Sequence, residues 1–238
     1  MKLTRREMHF EVRSFGPPIR FQIEGWEELR QARPGPAEGK VIKRMVAHLR
    51  PEDVVYDVGA NIGFVGLVLS RHLSGLRARV HSFEPEPRNF ESLCRNIRLN
   101  ELEDRVIPHR LALGPTEGEV ELFVRGGAGE GRHSTLARKG STGSIQVPMT
   151  TLTLIAGSLE HCPDVLKIDV EGGEGRVLAG MDGLLKDERP RELFLEIHPK
   201  GEGDRMPSGE PIQEWLGDRG FQLVWEGREG SRRHQHYR

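Results

Sequence analysis

Four apolar runs in this chain end on carboxylates, and one of them ends on a histidine as well. Val54-Val55-Tyr56 leads to Asp57, Val80-His81-Ser82-Phe83 to Glu84, Val165-Leu166-Lys167-Ile168 to Asp169 and Glu171, and Leu193-Phe194-Leu195 to Glu196 and His198. If the runs are strands of one sheet, these groups meet at the edge where an open α/β sheet binds its ligands. Carboxylates there can hold hydroxyl and ammonium groups, and an imidazole titrating near neutrality can move a proton. A carboxylate emerging from a buried strand is unfavourable without a partner, so Asp169 is expected to have one, either a ligand or a neighbouring donor. Capping of the following helix by Asp169 and Glu171 is the structural alternative.

The first strand end narrows the ligand. Asp57-Val58-Gly59-Ala60-Asn61-Ile62-Gly63-Phe64 reads as a strand running through a turn into a helix. Gly59 and Gly63 tolerate backbone angles that other residues resist and leave room for a ligand or for helix packing. A dinucleotide fold would place a pyrophosphate at this helix start. Here the spacing is Gly59-x-Asn61-x-Gly63 rather than Gly-x-Gly-x-x-Gly, and Asp57 opposes an anion. S-adenosylmethionine has no phosphate but carries a sulfonium and an ammonium, which suit a carboxylate-lined site. Glu84 then sits where one carboxylate can accept both ribose hydroxyls. Asp57 as a helix cap and Glu84 as a surface loop carboxylate is the bland alternative.

The elements that must position these groups follow from periodicity. Residues 10–13 and 19–23 alternate with period two about Gly16-Pro17-Pro18 and predict a hairpin. Residues 40–49 place Val41, Ile42, Met45, Val46 and Leu49 on one helical stripe. From Asp53 onward, strands and helices alternate, the pattern of a parallel sheet with crossovers. Strands are expected at 54–58, 80–83, 106–111, 119–124 at an edge, 146–149, 165–170 and 192–197. Helices are expected after Phe64, from Pro87 with Phe90, Leu93, Cys94 and Ile97 on one face, over 174–185, and around Ile212, Trp215 and Leu216. A last pair of strands, 221–225 and 235–237, is expected to turn over 227–230 and add an antiparallel ribbon. The glycine-rich loop 125–144 is expected to order only over an acceptor. The division expected is an appendage over 1–50 and a cofactor-binding domain over 51–238.

In order and wording these motifs resemble the FkbM family of S-adenosylmethionine-dependent methyltransferases. The resemblance rests on Tyr56-Asp57-Val58-Gly59-Ala60-Asn61-Ile62-Gly63, Phe83-Glu84-Pro85 with Asn89, Asn96 and Asn100, Ala112-Leu113-Gly114, Ser134-Thr135-Leu136, Val147-Pro148-Met149-Thr150-Thr151-Leu152, Lys167-Ile168-Asp169-Val170-Glu171-Gly172 and Leu195-Glu196-Ile197-His198. It implies a class I methyltransferase fold, a Rossmann-like α/β sheet that is mostly parallel with helices on both faces, and methylation of a hydroxyl on a sugar or natural product. It further implies that Asp57, Gly59, Asn61 and Gly63 cradle the methionine part, that Glu84 holds the ribose and Ala112 borders the adenine, and that Pro85 is a cofactor-binding residue. Asp169 would lie near the amino group and the reacting methyl, and Ser134 and Thr135 would meet the acceptor. Gly173 and Gly175 depart from the family's larger apolar residues, as does the glycine-expanded loop before Ser134.

Methyl transfer is an in-line displacement, so alignment supplies most of the acceleration. Asp169, Glu171 and His198 are the expected catalytic groups, with His198 or Glu171 taking the proton. No metal is assigned; a divalent ion on Asp169, Glu171 and His198 is the less favoured route. A binding module without turnover, or a nicotinamide oxidoreductase, are the competing classes.

Composition sets the outer bounds. A net charge of −1 over 238 residues argues against a nucleic-acid partner. The basic C-terminal cluster around Arg228, Arg232 and Arg233 lacks a stacking platform and reads as a solvated face. No run approaches the ~20 apolar residues of a membrane span and no signal peptide is evident, so a cytoplasmic location is expected. Cys94 and Cys162 are isolated, and Cys94 is expected as a buried thiol.

Overall fold

The computed structural model describes residues 8–125, 141–159, 161–184, 189–198 and 204–238. Ser134 and Thr135, with most of the glycine-rich loop, lie outside the described residues. The chain opens with the expected antiparallel hairpin, β1 (Met8–Val12) and β2 (Ile19–Ile23). Two helices follow, α1 (Trp26–Gln31) and α2 (Pro36–His48). The first is too short to show a helical period in the sequence. Pro36 suits the first turn of the second, where no backbone N–H is needed.

The centre is a seven-stranded sheet in the order β11-β12-β10-β9-β3-β4-β5. Its parallel strands are β3 (Val54–Val58), β4 (Arg79–Phe83), β5 (Val106–His109), β9 (Val165–Ile168) and β10 (Glu192–Ile197). The helices between them are α3 (Phe64–Ser70), α4 (Pro87–Leu99), α5 (Leu152–Leu159) and α6 (Glu174–Ala179), and α7 (Ile212–Asp218) follows β10. At one edge β11 (Leu223–Glu229) and β12 (Arg232–Tyr237) add the antiparallel ribbon, with β12 inserted beside β10. The expected turn over 227–230 shortens to the residues around Gly230. Gly227 stays in the strand because the Trp225 ring lies over it, where a Cβ would be 2.5 Å from the ring.

Other departures have local causes. The strand expected at 106–111 breaks after His109, and β6 (Ala112–Leu113) leaves the main sheet to pair with β8 (Ser141–Thr150). The strand expected at the edge, β7 (Gly118–Arg125), also pairs with β8, so the three form a separate sheet. Helix α6 ends at Ala179 rather than running to 185, and its C-cap Gly180 packs onto the carbonyl of Gly114 too closely for any side chain. Cys94 is half-buried rather than buried. No described helix is long and apolar enough to cross a membrane.

Strand β3 shows how the core is divided. Val55 enters one apolar cluster with the hairpin and helices α2, α3 and α4, whereas Val54, Tyr56 and Val58 enter the other with α5, α6 and α7. Asp57 shares the parity of Val55 and therefore points toward α3. The hairpin is built into the first cluster: Phe21 is fully buried and stacks on Phe64 at 5.5 Å. Burial of such a ring contributes roughly 1.5–3 kcal/mol. Two asparagines one turn apart on α4 complete the attachment. Asn96 Oδ1 accepts from Gln22 N at 3.0 Å, and Asn100 both accepts from Arg20 N at 2.9 Å and donates to Arg20 O at 2.7 Å. Residues 8–49 thus share one core with the sheet.

Candidate active site

The carboxyl ends of β3, β4, β9 and β10 open into a cavity of about 400 Å³. Its first wall is the turn after β3. Gly59 has φ +81°, and a Cβ there would run into the carbonyl oxygen of Asp169, so the tips of β3 and β9 touch through their backbones. Asn61 adopts φ 54°, and its N–H donates to Glu84 Oε2 at 2.8 Å. Gly63, at φ +93°, starts α3 against Leu93, which a Cβ would meet at 2.6 Å. Gly59, Ala60, Asn61, Glu84, Pro85 and Ala112 line the cavity, whereas Asp57 and Gly63 lie behind the lining.

Glu84 is buried, and its other oxygen accepts from Glu86 N at 3.0 Å. Burial pushes its carboxyl up to about 7, against the lowering pull of these two N–H groups. Each oxygen keeps a lone pair for a further donor. Phe83, Leu111 and Leu113 add an apolar slot beside it.

Asp57 takes the helix-capping role weighed as the alternative, at the first turn of α3. Its Oδ2 accepts from Gly66 N at 3.1 Å, and its Oδ1 pairs with Lys167 Nζ at 3.1 Å. The β3–β9 register places Asp57 directly opposite Lys167. Lys167 also reaches Asp169 Oδ2 at 3.6 Å and lines the cavity. A lysine inside an apolar strand was the legible anomaly of this run, and its two carboxylate partners explain it.

On the cavity floor Asp169, Glu171 and Glu196 meet His198. The register pairs Leu195 with Ile168, so the next residues, Glu196 and Asp169, emerge side by side. Glu171 lines the cavity from a left-handed backbone, φ 54°, which a non-glycine residue rarely adopts and which recurs at functional sites. His198 is buried just below; Nδ1 donates to Glu174 at 2.8 Å. Its Nε2 faces Glu196 Oε1 at 3.3 Å, Glu171 Oε2 at 3.7 Å and Asp169 Oδ1 at 3.9 Å. Burial alone would lower the imidazole pKa, but the bond to Glu174 and the carboxylates of Glu196 and Asp169 close to Nε2 outweigh it and raise it to about 11. The surrounding carboxylates thus favour the charged ring, away from the titration near neutrality that was expected of it. Burial and then the charge of Glu196 raise the Asp169 carboxyl, whereas Glu196, despite burial, is held low by His198, His234 and Arg232.

The N-terminal segment closes the cavity. Arg30, Gln31 and Arg33, from α1 and the link that follows, line it, and so does Glu38 of α2. Glu38 is pushed up by burial and by the charge of Glu196. Arg232 of β12 lines the opposite wall and pairs with Glu196 at 2.8 Å. Sequence reading missed these residues, since nothing in local periodicity brings α1, α2 or β12 over the strand ends.

A methyltransferase FkbM domain matches residues 57–223. A hexuronic acid methyltransferase, AglP of Haloferax volcanii, is 32% identical over 188 residues, covering 77% of this chain and 72% of that protein. A 31-O-demethyl-FK506 methyltransferase, FkbM of Streptomyces tacrolimicus, is 33% identical over 177 residues, covering 63% and 67%. Among solved structures, an FkbM methyltransferase from Methylobacillus flagellatus aligns with a TM-score of 0.53 at 15% identity over 81% of this chain; the chain spans 45% of that protein's length. Pyrococcus horikoshii TYW2, in complex with MeSAdo, aligns at 0.51 and 16% identity over 98% of this chain and 70% of that one. These two likenesses show the fold: an α/β sheet of the class I methyltransferase type.

Proposed function

The chain belongs to the FkbM family of methyltransferases, and on that premise we propose that it moves a methyl group from S-adenosylmethionine to a hydroxyl of a sugar or natural-product acceptor. The observation that carries the cofactor is Glu84, a buried carboxylate facing the cavity beside an apolar slot and under a glycine turn whose Asn61 N–H it accepts. Glu84 would hold the ribose hydroxyls. Pro85 and Ala112 would flank the adenine, and the Gly59–Asn61 backbone would face the methionine part. Asp57 and Gly63 act through the turn, which they brace from behind. The acceptor class follows the relatives, one acting on a hexuronic acid and another on a demethylated FK506.

S-adenosylmethionine supplies an electrophilic methyl carbon on a sulfonium. The protein's part is to align the acceptor oxygen with that carbon and to take its proton. Glu171 is our candidate for the base, because its strained backbone aims a carboxylate into the cavity. Asp169 bounds the reacting space from the tip of β9, and His198 holds the carboxylates from below. Ser134 and Thr135 would meet the acceptor.

The test is transfer of label from methyl-labelled S-adenosylmethionine to hydroxylated sugars and polyketide-like alcohols, with calorimetry of S-adenosylhomocysteine and NADH as the binding control. Binding of S-adenosylhomocysteine and label in an alkali-stable methyl ether support the reading. Binding of NADH in its place removes it.

A further inference from the structure

We propose that Asp169, Glu196 and His198 form a divalent-cation site of the manganese and magnesium class on the cavity floor, where the ion would hold the acceptor oxygen. One ligand atom from each of the three lies within 4.8 Å of the others. The carboxylates come from the tips of two adjacent strands and both line the cavity, so an ion between them faces the reacting space. Acidic clusters are common without a metal, but the imidazole separates this one from them. Its side chain is 6% exposed, and Nε2 makes no hydrogen bond although it points at three carboxylates 3.3–3.9 Å away. Within the ligand set Nε2 lies 3.3 Å from Glu196 and 3.9 Å from Asp169, and all three ligand atoms fall within 4.8 Å of one another; the set must contract toward the ~3 Å between neighbouring ligands bonded at ~2.1 Å in an octahedral shell.

The surroundings match those of a metal ligand set. A ligating histidine donates its other ring N–H to a carboxylate, which fixes the ring, and ligating carboxylates are themselves hydrogen-bonded. Here Nδ1 is bound to Glu174 at 2.8 Å, and Glu174 is in turn fixed by Gly172 N at 3.0 Å. Glu196 is steadied by Arg232 at 2.8 Å, and Asp169 by Lys167 through the oxygen turned away from His198. Two carboxylates and one imidazole favour manganese or magnesium over softer metals. A ligating imidazole is neutral at the bonding nitrogen, so an ion taken up on Nε2 displaces any proton there.

The site's role rests on the methyltransferase reading. An acceptor hydroxyl bound to the ion is more acidic. It gives its proton to Glu171, its oxygen forms the new bond to the methyl carbon, and the carbon–sulfur bond breaks with its electron pair on sulfur.

The experiment is Mn²⁺ titration of the chelator-stripped full chain, followed by electron paramagnetic resonance, with S-adenosylhomocysteine calorimetry on the same sample. One Mn²⁺ per chain is expected, with affinity reduced tenfold or more in Glu196→Gln and in Asp169→Asn. His48→Gln, in the other histidine–carboxylate cluster, that of His48, Glu192 and His236, should leave it unchanged. Absence of stoichiometric Mn²⁺ in a wild type that binds S-adenosylhomocysteine overturns the site, as does binding that follows His48→Gln instead. Mn²⁺ binding with the expected mutant pattern but no S-adenosylhomocysteine binding keeps the site and removes the methyltransferase reading.

Discussion

Lys167 Nζ stands 3.1 Å from Asp57 Oδ1 across the β3–β9 register and 3.6 Å from Asp169 Oδ2. One ammonium therefore joins the carboxylate that braces the glycine turn to the carboxylate at the cavity floor. Both partners of the closer pair are almost wholly buried. Breaking a buried pair leaves a charge without compensation, which costs about 3–5 kcal/mol. Lys167→Met should destabilise the fold by that amount in urea unfolding. Adding Asp57→Asn to it should recover part of the loss. Independent, additive losses from the two changes would mean that the pair does not act as a unit.

Glu84→Ala should weaken S-adenosylhomocysteine binding by about 2–3 kcal/mol, since a charged acceptor loses two hydroxyl donors. Unchanged affinity by calorimetry would remove Glu84 from the cofactor site.

The same residue gives a pH dependence. Burial raises its pKa from 4.5 to about 7, so the folded protein keeps a proton there that the unfolded chain has released. Unliganded stability at this group is therefore lost as pH rises from about 4.5 to about 7. Cofactor affinity should move the other way, strengthening as pH climbs through about 7 and the carboxylate ionises. In Glu84→Gln both trends should flatten, which melting curves and calorimetry across pH 5 to 9 would show.

Glu171→Gln should lower turnover by roughly 10²–10⁴-fold, with cofactor affinity nearly unchanged. Single-turnover kinetics would separate the two effects. A fully active variant would assign proton removal elsewhere.

Asn100→Ala removes the side chain that accepts from Arg20 N and donates to Arg20 O. At about 1–1.5 kcal/mol per bond, it should cost roughly 2–3 kcal/mol of stability. It should also weaken cofactor binding, because the segment anchored there carries Arg30, Arg33 and Glu38 over the cavity.

The sheet was legible because its strands are short apolar runs that end in polar turns, and β10 was expected at the bounds observed. Glu84 and Asp169 were legible for the same reason: a strand end fixes where its next side chain emerges. The capping of α3 by Asp57 was legible as an alternative, whereas its ion pair was not, because the partner lies 110 residues on and only the register reveals Lys167 opposite it. His198 was misjudged because its pKa is set by Glu174 and Glu196, which belong to different elements. Helix α1 left no periodic signal of its own, and although strands were expected within β7 and β8, nothing in them showed that they pair with β6 in a separate sheet. The closing of the cavity by residues 30–38 is a tertiary event with no local signature.

The contact between Gly59 and the Asp169 carbonyl has a mechanical consequence. Gly59 N donates to Phe83 O at 3.0 Å and Asp169 N to Val58 O at 3.0 Å, so three strand tips are laced together by main-chain atoms. The turn that would face the methyl donor and the tip that would face the acceptor are thereby held at a fixed backbone spacing. The span between donor and acceptor is gauged by backbone thickness rather than by rotamers. A single methyl group at position 59 would act as a shim, forcing the two apart and detuning an in-line reaction without removing any reacting group.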